Sequence, residues 1–453
     1  MSTQPINNWD TLVVGLGQTG LSIARYLRRK GIKFAAVDSR SQPPGGELMA
    51  TEFADVPCHF GAFSQAKQWF LHAKTLVVSP GVAIAMPEIQ AAQQQGVEVI
   101  GDVELFVREA QAPILAITGS NGKSSVTSLL ALMAQQAGLR AYAGGNLGFV
   151  ALDMLLEPIP DYYILELSSF QLETTYSLQA KAAVVLNVSE DHMDRYTDLA
   201  DYARAKQVIY QHCQCAVFNR DDALVMAMSA SIQTQTGCCF SFGESAPEAG
   251  QYGLLKQQGK ICLARGSECL LALDEMRLAG THNAMNALAA LALGEAVGLP
   301  RAAMLQAVRE FAGLPHRTQW VRLRRGVNWY NDSKGTNVGA TVAALKGLLG
   351  QTVLIAGGQG KGADFTPLAE AVRSGTRALV LLGEDAEKIA TVVAGIVPCH
   401  YADDMQSAVA LAAELALPGD NVLLSPACAS FDMFKHYVHR GEVFADCVGG
   451  LPA

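Results

Sequence analysis

The run TGSNGKSS, residues 118–125, holds the residue types that grip a nucleotide phosphate. Gly119 and Gly122 free the backbone so that its N–H groups can surround phosphate oxygens. Lys123 offers a cation to the β- and γ-phosphates. Ser124 offers a hydroxyl of the kind that such loops place on Mg2+. The spacing is a shortened one, because Ile117 stands where the full G-x-x-x-x-G-K-[ST] pattern has its first glycine. A glycine turn of purely structural purpose is the competing reading, since glycine serves wherever a strand must turn sharply into a helix.

A second glycine run, Gly15-x-Gly17-x-x-Gly20, follows the apolar stretch TLVV, and Asp38 ends the next apolar run, FAAVD. Glycines at these places let backbone approach a pyrophosphate at a helix N-terminus, and the acid can accept a ribose hydroxyl. The spacing does not name the nucleotide. A nicotinamide or flavin cofactor, another nucleotide and a structural turn all remain open at this point. Two such loops in one chain predict two phosphate-bearing ligands, which speaks against a simple NAD(P)-linked oxidoreductase. A non-catalytic nucleotide-binding module is the third class.

Acids and a histidine follow two β-like runs. Glu166 ends YYILE in YYILELSSFQLE (162–173), and AAVVLNVSEDHMDRY (182–196) runs into Asn187, Glu190, Asp191, His192 and Asp194. Strand C-termini face the ligand crevice of open α/β sheets. Glu166 and His192 could therefore complete a Mg2+ site with Ser124, although Mg2+ favours oxygen and a plain loop histidine is the alternative. Lys206, in DYARAKQVIY, reads from spacing alone as a solvated helix lysine.

These groups need elements to hold them. Three strand-to-helix glycine junctions occur, at 11–31, 112–138 and 352–373, each opening on a β-branched apolar run suited to a strand buried on both faces. Alternation of such strands with helical spacing predicts an α/β chain of three parallel-sheet domains. The boundaries read as 1–101, a Rossmann-like domain; 102–313, a phosphate-loop ATPase-type central domain; and 314–453, an α/β C-terminal domain. Pro315 bars a helix across the second boundary. Residues 230–275 read as short strands forming a side sheet of the middle domain.

Composition narrows the partners. The chain has 453 residues, half of them hydrophobic, with 34 Lys and Arg against 42 Asp and Glu, a net charge of −8. Such a balance does not suit neutralisation of nucleic-acid phosphate over a broad face. No apolar stretch reaches the 18 or so residues of a membrane span, and MSTQPINNWD lacks a signal-peptide pattern. A cytoplasmic, monomeric protein with no membrane insertion is expected. The ten Cys show no C-x-x-C pairing and read as reduced thiols.

Nine motifs then occur in a telling order: TGSNGKSS, LELSSFQLE, NVSEDHMDRY, the Lys206 helix, GTHNAMNALAALAL, LPHRTQW, NDSKGTN, AGGQGKGADF and LLSPACASFDMFKHYVHRGEVF. With them the chain resembles the Mur ligases, the ATP-dependent amide-forming enzymes of peptidoglycan precursor synthesis. GLGQTGLS, the SPG at 79–81 and the closing SPACASFDMF resemble the member that adds D-glutamate to UDP-N-acetylmuramoyl-L-alanine, and the D-N-P-R motif of the diaminopimelate- or lysine-adding relative does not occur. The resemblance implies UDP rather than NAD in the first domain, ATP and Mg2+ in the second, and the amino acid in the third.

It also implies roles for residues. Thr19, Asp38, Arg40, Gly81 and Asn146 would line the UDP-sugar site. Gly119, Ser120, Asn121, Gly122, Lys123, Ser124 and Ser125 would cradle the ATP phosphates, with Asn286 and Arg317 also on ATP and Asp332 at the phosphate end. Ser124, Glu166 and His192 would take part in Mg2+ binding, and Lys206 matches a carbamylated lysine that would join them as an acid. Lys334, Thr336, Lys361, Ser430 and Tyr437 would surround D-glutamate and the transferring phosphate. Lys123, His192, Lys206 and Lys334 would be the catalytic group. Two positions depart from the family pattern: Ser125 stands where many relatives have Thr, and Tyr437 where Phe is expected.

Overall fold

The computed structural model describes residues 9–232, 236–257, 259–278, 280–348 and 350–452. Among the described residues the strands form three sheets, of five, nine and six. In the first sheet Cys58–Phe60, Phe34–Asp38, Thr11–Val14, Thr75–Val78 and Glu98–Ile100 lie side by side, all parallel. The central strands Thr11–Val14 and Phe34–Asp38 are buried throughout, as expected for a parallel sheet with helices on both faces.

The second sheet places Ile114–Thr118 between Tyr162–Glu166 and Ala182–Val185, with Ala141–Gly145 beyond one and Cys215–Asn219 and Cys238–Phe242 beyond the other. These strands are parallel. Tyr252–Gln257, Lys260–Arg265 and Glu268–Ala272 continue the same sheet, the last two antiparallel. The separate side sheet expected for residues 230–275 is therefore corrected. The meander joins the larger sheet at the end of Cys238–Phe242, where Phe242 pairs with Tyr252.

The expectation of ten separate thiols is corrected at two positions. Cys215 and Cys238 are register partners on adjacent strands with Cα atoms 4.5 Å apart, and they are joined as a disulfide. The parallel ladder itself brings them together.

In the third sheet Val327–Asn331, Asn421–Leu424, Thr352–Ala356, Thr376–Leu381 and Cys399–Tyr401 are parallel, and Gln319–Arg324 closes one edge antiparallel. No helix among the described residues is long and apolar enough to cross a membrane.

The first two sheets share a hydrophobic core. Helix Asp102–Glu109 joins them, and its fully buried Phe106 meets Tyr163 edge-on with ring centroids 5.0 Å apart. Burying one such side chain stabilises by about 1.5–3 kcal/mol. Polar ties flank it: Ser22 Oγ donates to Asp153 at 2.6 Å, and Tyr26 Oη to Glu109 at 3.2 Å. Core packing thus fixes the first domain on the second, and the third reaches them through the site described next.

Candidate functional site

The phosphate loop runs from the buried strand Ile114–Thr118 to helix Lys123–Gln136. Gly122, the residue before the helix, sits at φ +83°, and a Cβ there would strike the Asn286 side chain. The end of strand Ala182–Val185 shapes the loop from below. Asn187 Oδ1 accepts from the Asn121 amide at 2.8 Å, its Nδ2 donates to the Asn121 carbonyl at 3.1 Å, and its carbonyl accepts from the Ser120 amide at 2.9 Å. Ser120 Oγ donates to the Ser189 carbonyl at 2.9 Å. The loop is thereby held in one shape by neighbouring residues, the preorganisation that phosphate binding needs.

Four cationic side chains converge on it. Lys123 Nζ donates to the carbonyls of Gly119 and Ser120 at 2.7 and 2.8 Å. Arg317, from the third domain, donates to Ser124 Oγ at 2.5 Å. Lys334 Nζ stands 4.0 Å above the Tyr437 ring. Burial, then repulsion from Arg317 and Lys123, brings its pKa down to about 8. Lys206 is the surprise. The solvated helix lysine read from spacing is in fact 1% exposed. Helix Leu199–Gln207 turns it inward, where its Nζ donates to the Gly119 carbonyl at 3.0 Å and lies 4.2 Å over the Tyr202 ring. A carbonyl and a π-face replace water there. Burial, and then Lys123, push its pKa well below the ordinary lysine value.

The acids sit opposite. Glu166, ending strand Tyr162–Glu166, is buried; its Oε1 accepts from Asn146 Nδ2 at 2.9 Å, while its buried Oε2 has no partner. An orphan carboxylate oxygen facing lysines is the kind of group a divalent cation satisfies. His192 has φ +59°, lies 3.6 Å from Asp191 and stands edge-on to Phe170. Burial holds its pKa below the usual histidine value, favouring the neutral ring. Asp332 accepts from Ser425 Oγ at 2.7 Å and the Thr318 amide at 2.9 Å, and burial raises its pKa to about 6. Among the described residues no three His, Cys, Asp or Glu side chains gather as a self-sufficient metal site.

Two cavities meet at the loop. One, of about 420 Å³, is lined by Asn121, Gly122, Ser125, Asn286, Arg317, Asp332 and Lys334 together with helix Val338–Gly347 of the third domain. The other, of about 320 Å³, shares Asn121, Gly122, Arg317 and Lys334. Around it stand Ser120, Lys123, Asn146, Glu166, His192 and Lys206 from the second domain, and Thr336, Lys361, Ser430 and Tyr437 from the third. Gly119 and Ser124 lie behind this lining, bonded to Lys206 and Arg317. The structure thus gathers residues more than 300 positions apart.

Four residues that the family resemblance groups with Asn146 lie elsewhere. Thr19, Asp38, Arg40 and Gly81 border the C-terminal edge of the first sheet and line neither cavity. Gly20 packs against the Gly15 carbonyl, whereas a Cβ on Gly17 or Gly81 would meet nothing within 4 Å. Backbone at those two positions is open to a ligand. Asp38 is turned inward. Its oxygens accept from the Leu16 amide at 2.7 Å, from the Arg40 amide at 2.9 Å and from the Arg40 guanidinium at 2.8 and 2.7 Å. Burial opposes its charge, but these donors outweigh it and hold Asp38 below the usual carboxylate range. What this pair presents to solvent is the half-exposed Arg40.

Sequence reasoning passed over three residues of this site. Tyr202 lies under Lys206. Asn337 joins the third domain to the loop, exchanging hydrogen bonds with Asn121 at 3.2 and 3.4 Å and donating to Asp191 at 3.3 Å. Its place as a helix N-cap, accepting from the Ala340 amide, was readable from Asn before an apolar run. Arg440, buried in helix Tyr437–Gly450, donates to Ser333 Oγ and to the carbonyls of Ser333, Cys428 and Ala429. It ties the Lys334 loop to the Ser430 loop, and nothing in VHRGEVF announces that.

The chain matches known proteins along nearly its whole length. Three family models match in succession: the Mur ligase MurD-like N-terminal domain over residues 9–101, the Mur ligase middle domain over 117–294, and the Mur ligase glutamate ligase domain over 316–428. A UDP-N-acetylmuramoylalanine–D-glutamate ligase of Nitrosococcus oceani is 52% identical over 447 residues, covering 98% of this chain and 97% of its own. The enzyme of that name from Pseudomonas putida is 50% identical, with 97% of each chain covered. In structure the chain is similar to the UDP-N-acetylmuramate–alanine ligase of Thermotoga maritima, with a TM-score of 0.60 over 98% of this chain and 99% of that one; at 17% identity this speaks to fold alone. With three consecutive domain models matched and half of its residues shared with relatives over nearly its full length, the chain belongs to the Mur ligase family.

Proposed function

We propose that this chain joins D-glutamate to the L-alanyl carboxylate of UDP-N-acetylmuramoyl-L-alanine, consuming ATP and releasing ADP and phosphate. The observation that carries the reading is the meeting of two cavities at one phosphate loop, with Arg317 and Lys334 on the shared wall. The larger cavity, with Asn286 and Ser125, suits the nucleoside end of ATP. The smaller, with Lys361, Ser430 and Tyr437, suits the acceptor carboxylate and the amino acid. In this reading Thr19, Arg40 and Gly81 hold the UDP end on the first domain, with Asp38 setting the pose of Arg40. The relatives named for this activity support the choice of substrates.

A carboxylate is a poor electrophile, so it must be activated before an amine can attack. Its oxygen attacks the γ-phosphorus, the bond to the β-phosphate oxygen breaks, and an acyl phosphate and ADP form. The D-glutamate amine then attacks the acyl carbon, and phosphate leaves the tetrahedral intermediate. Phosphoryl transfer asks the protein for alignment and charge neutralisation. Lys123, Lys334 and Arg317 supply positive charge at the transferring group. Glu166 and Ser124 are the residues that would hold Mg2+, joined by Lys206 in its carbamylated form and by His192. Bound there, Mg2+ would neutralise charge building on the phosphates. The attacking ammonium must lose a proton, and in this reading the base is a carboxylate lining the same cavity, such as Asp191, or His192 where it does not hold the metal.

The test is ADP and phosphate release over a panel of UDP-muramoyl acceptors and amino acids. Release should require both UDP-N-acetylmuramoyl-L-alanine and D-glutamate. Turnover with L-lysine or diaminopimelate on a dipeptide precursor would overturn the choice of substrates.

A further inference from the structure

Lys361 rides on a loop, residues 357–362, that leaves strand Thr352–Ala356. Gly357, Gly358, Lys361 and Gly362 all have positive φ, at 120°, 126°, 52° and 76°. Three of these are glycines and take such values freely; Lys361 has a Cβ and does not. Something outside the loop must hold it.

Asp385 is placed to do so. It precedes helix Ala386–Val393 at the N-cap position, where an aspartate ordinarily accepts from its own helix's amides. It makes no such bond. Its buried carboxylate instead accepts from the Gly360 amide at 2.6 Å, and its own amide donates to the Gly358 carbonyl at 3.0 Å. Both bonds land on the turn just before Lys361. A Cβ on Gly360 would come within 2.8 Å of the Asp385 carboxylate and 2.7 Å of the Phe365 ring, so glycine is what allows the approach. The other carboxylate oxygen meets Lys388, whose side chain is exposed. Gln359 exchanges backbone hydrogen bonds with Ala429 at 3.0 and 2.8 Å, tying the loop to the segment that carries Ser430.

We propose that Asp385 is a positioning residue for the amino-acid substrate, its carboxylate clamping the strained loop from which Lys361 reaches a carboxylate of the incoming amino acid. Asp385 lines neither cavity, so it acts through the backbone of Gly360 and not on the substrate. The proposal rests on the reading that Lys361 faces D-glutamate.

Kinetics and hydrogen exchange on the full chain test it together. Asp385→Ala removes a charge-assisted bond, and KM for D-glutamate should rise about tenfold or more while KM for ATP stays within about twofold. Amides of residues 357–362 should exchange faster in that variant. Asp385→Asn keeps an acceptor oxygen and should fall between the two. If the alanine variant does not fold, this one carries the test with a rise of about threefold. Lys388→Ala removes the exposed partner and should match the wild type. A wild-type KM for D-glutamate and unchanged exchange in Asp385→Ala would overturn the proposal. So would an equal rise in both KM values with a lowered melting temperature, which marks general damage. Failure of the wild type to use D-glutamate would sink the functional reading alone, because exchange at Gly360 still decides whether the clamp exists.

Discussion

Replacing Arg440 by Met keeps the length of the side chain and removes its charge and donors. The guanidinium is 2% exposed and meets no carboxylate within ion-pair distance among the described residues. Its partners are Ser333 Oγ at 3.0 Å and the carbonyls of Ser333, Cys428 and Ala429 at 2.9, 3.1 and 3.3 Å. Burial has brought its pKa from 12.5 to about 10, a desolvation cost on the order of 3 kcal/mol. Methionine relieves that cost but strands the buried carbonyls of Ser333 and Cys428, each worth about 2 kcal/mol when unsatisfied, while that of Ala429 keeps the Gln359 amide. The balance is a loss of about 1 kcal/mol. For a domain of this size that is a drop of about 3 °C in Tm. The loops bearing Lys334 and Ser430 also lose their tie, and a displacement of about 1 Å at a reacting group costs about a hundredfold in rate. Differential scanning calorimetry and ADP release read the two effects. A variant that melts no lower than the wild type and keeps its kcat would refute the reasoning.

Lys334, with a pKa near 8, is charged below that pH and neutral above it. The kcat/KM for ATP should therefore fall as pH rises through about 8, and Lys334→Arg should move the fall upward because a guanidinium stays charged; a flat profile from pH 7 to 9 would argue against a role for its charge. Since its folded value lies below the ordinary 10.5, the buried charge opposes folding below about pH 8, and that penalty fades between about 8 and 10.5. Lys206→Ala should abolish turnover, with partial return on adding bicarbonate or a short carboxylate; an unaffected variant removes the carbamate from the reading. Gly122→Ala forces a Cβ onto a left-handed backbone, at about 1–2 kcal/mol, and into Asn286. KM for ATP should rise about tenfold while calorimetry shows UDP-sugar binding unchanged, and a parallel loss of both would mean that the two glycine loops do not serve separate ligands.

Much of this protein could be read along the chain because the relevant forces are local. A β-branched run followed by glycines and helical spacing specifies strand, turn and helix within about twenty residues; the first two sheets begin where such junctions stand, and the third junction supplies a central strand of the third sheet. The phosphate loop was legible for the same reason: its donors are its own backbone amides and the side chains next to them. Tertiary structure decided what depends on partners far away. Spacing puts Lys206 on a helix but cannot say which side of that helix meets the Gly119 carbonyl, 87 residues earlier. It marks Asp38 as an acid at a strand end, while the fold turns both of its oxygens onto Leu16 and Arg40. It counts ten cysteines, and a parallel register pairs two. Arg440, Asn337 and Asp385 look ordinary in sequence, since each matters through a contact with a loop that only long-range packing delivers.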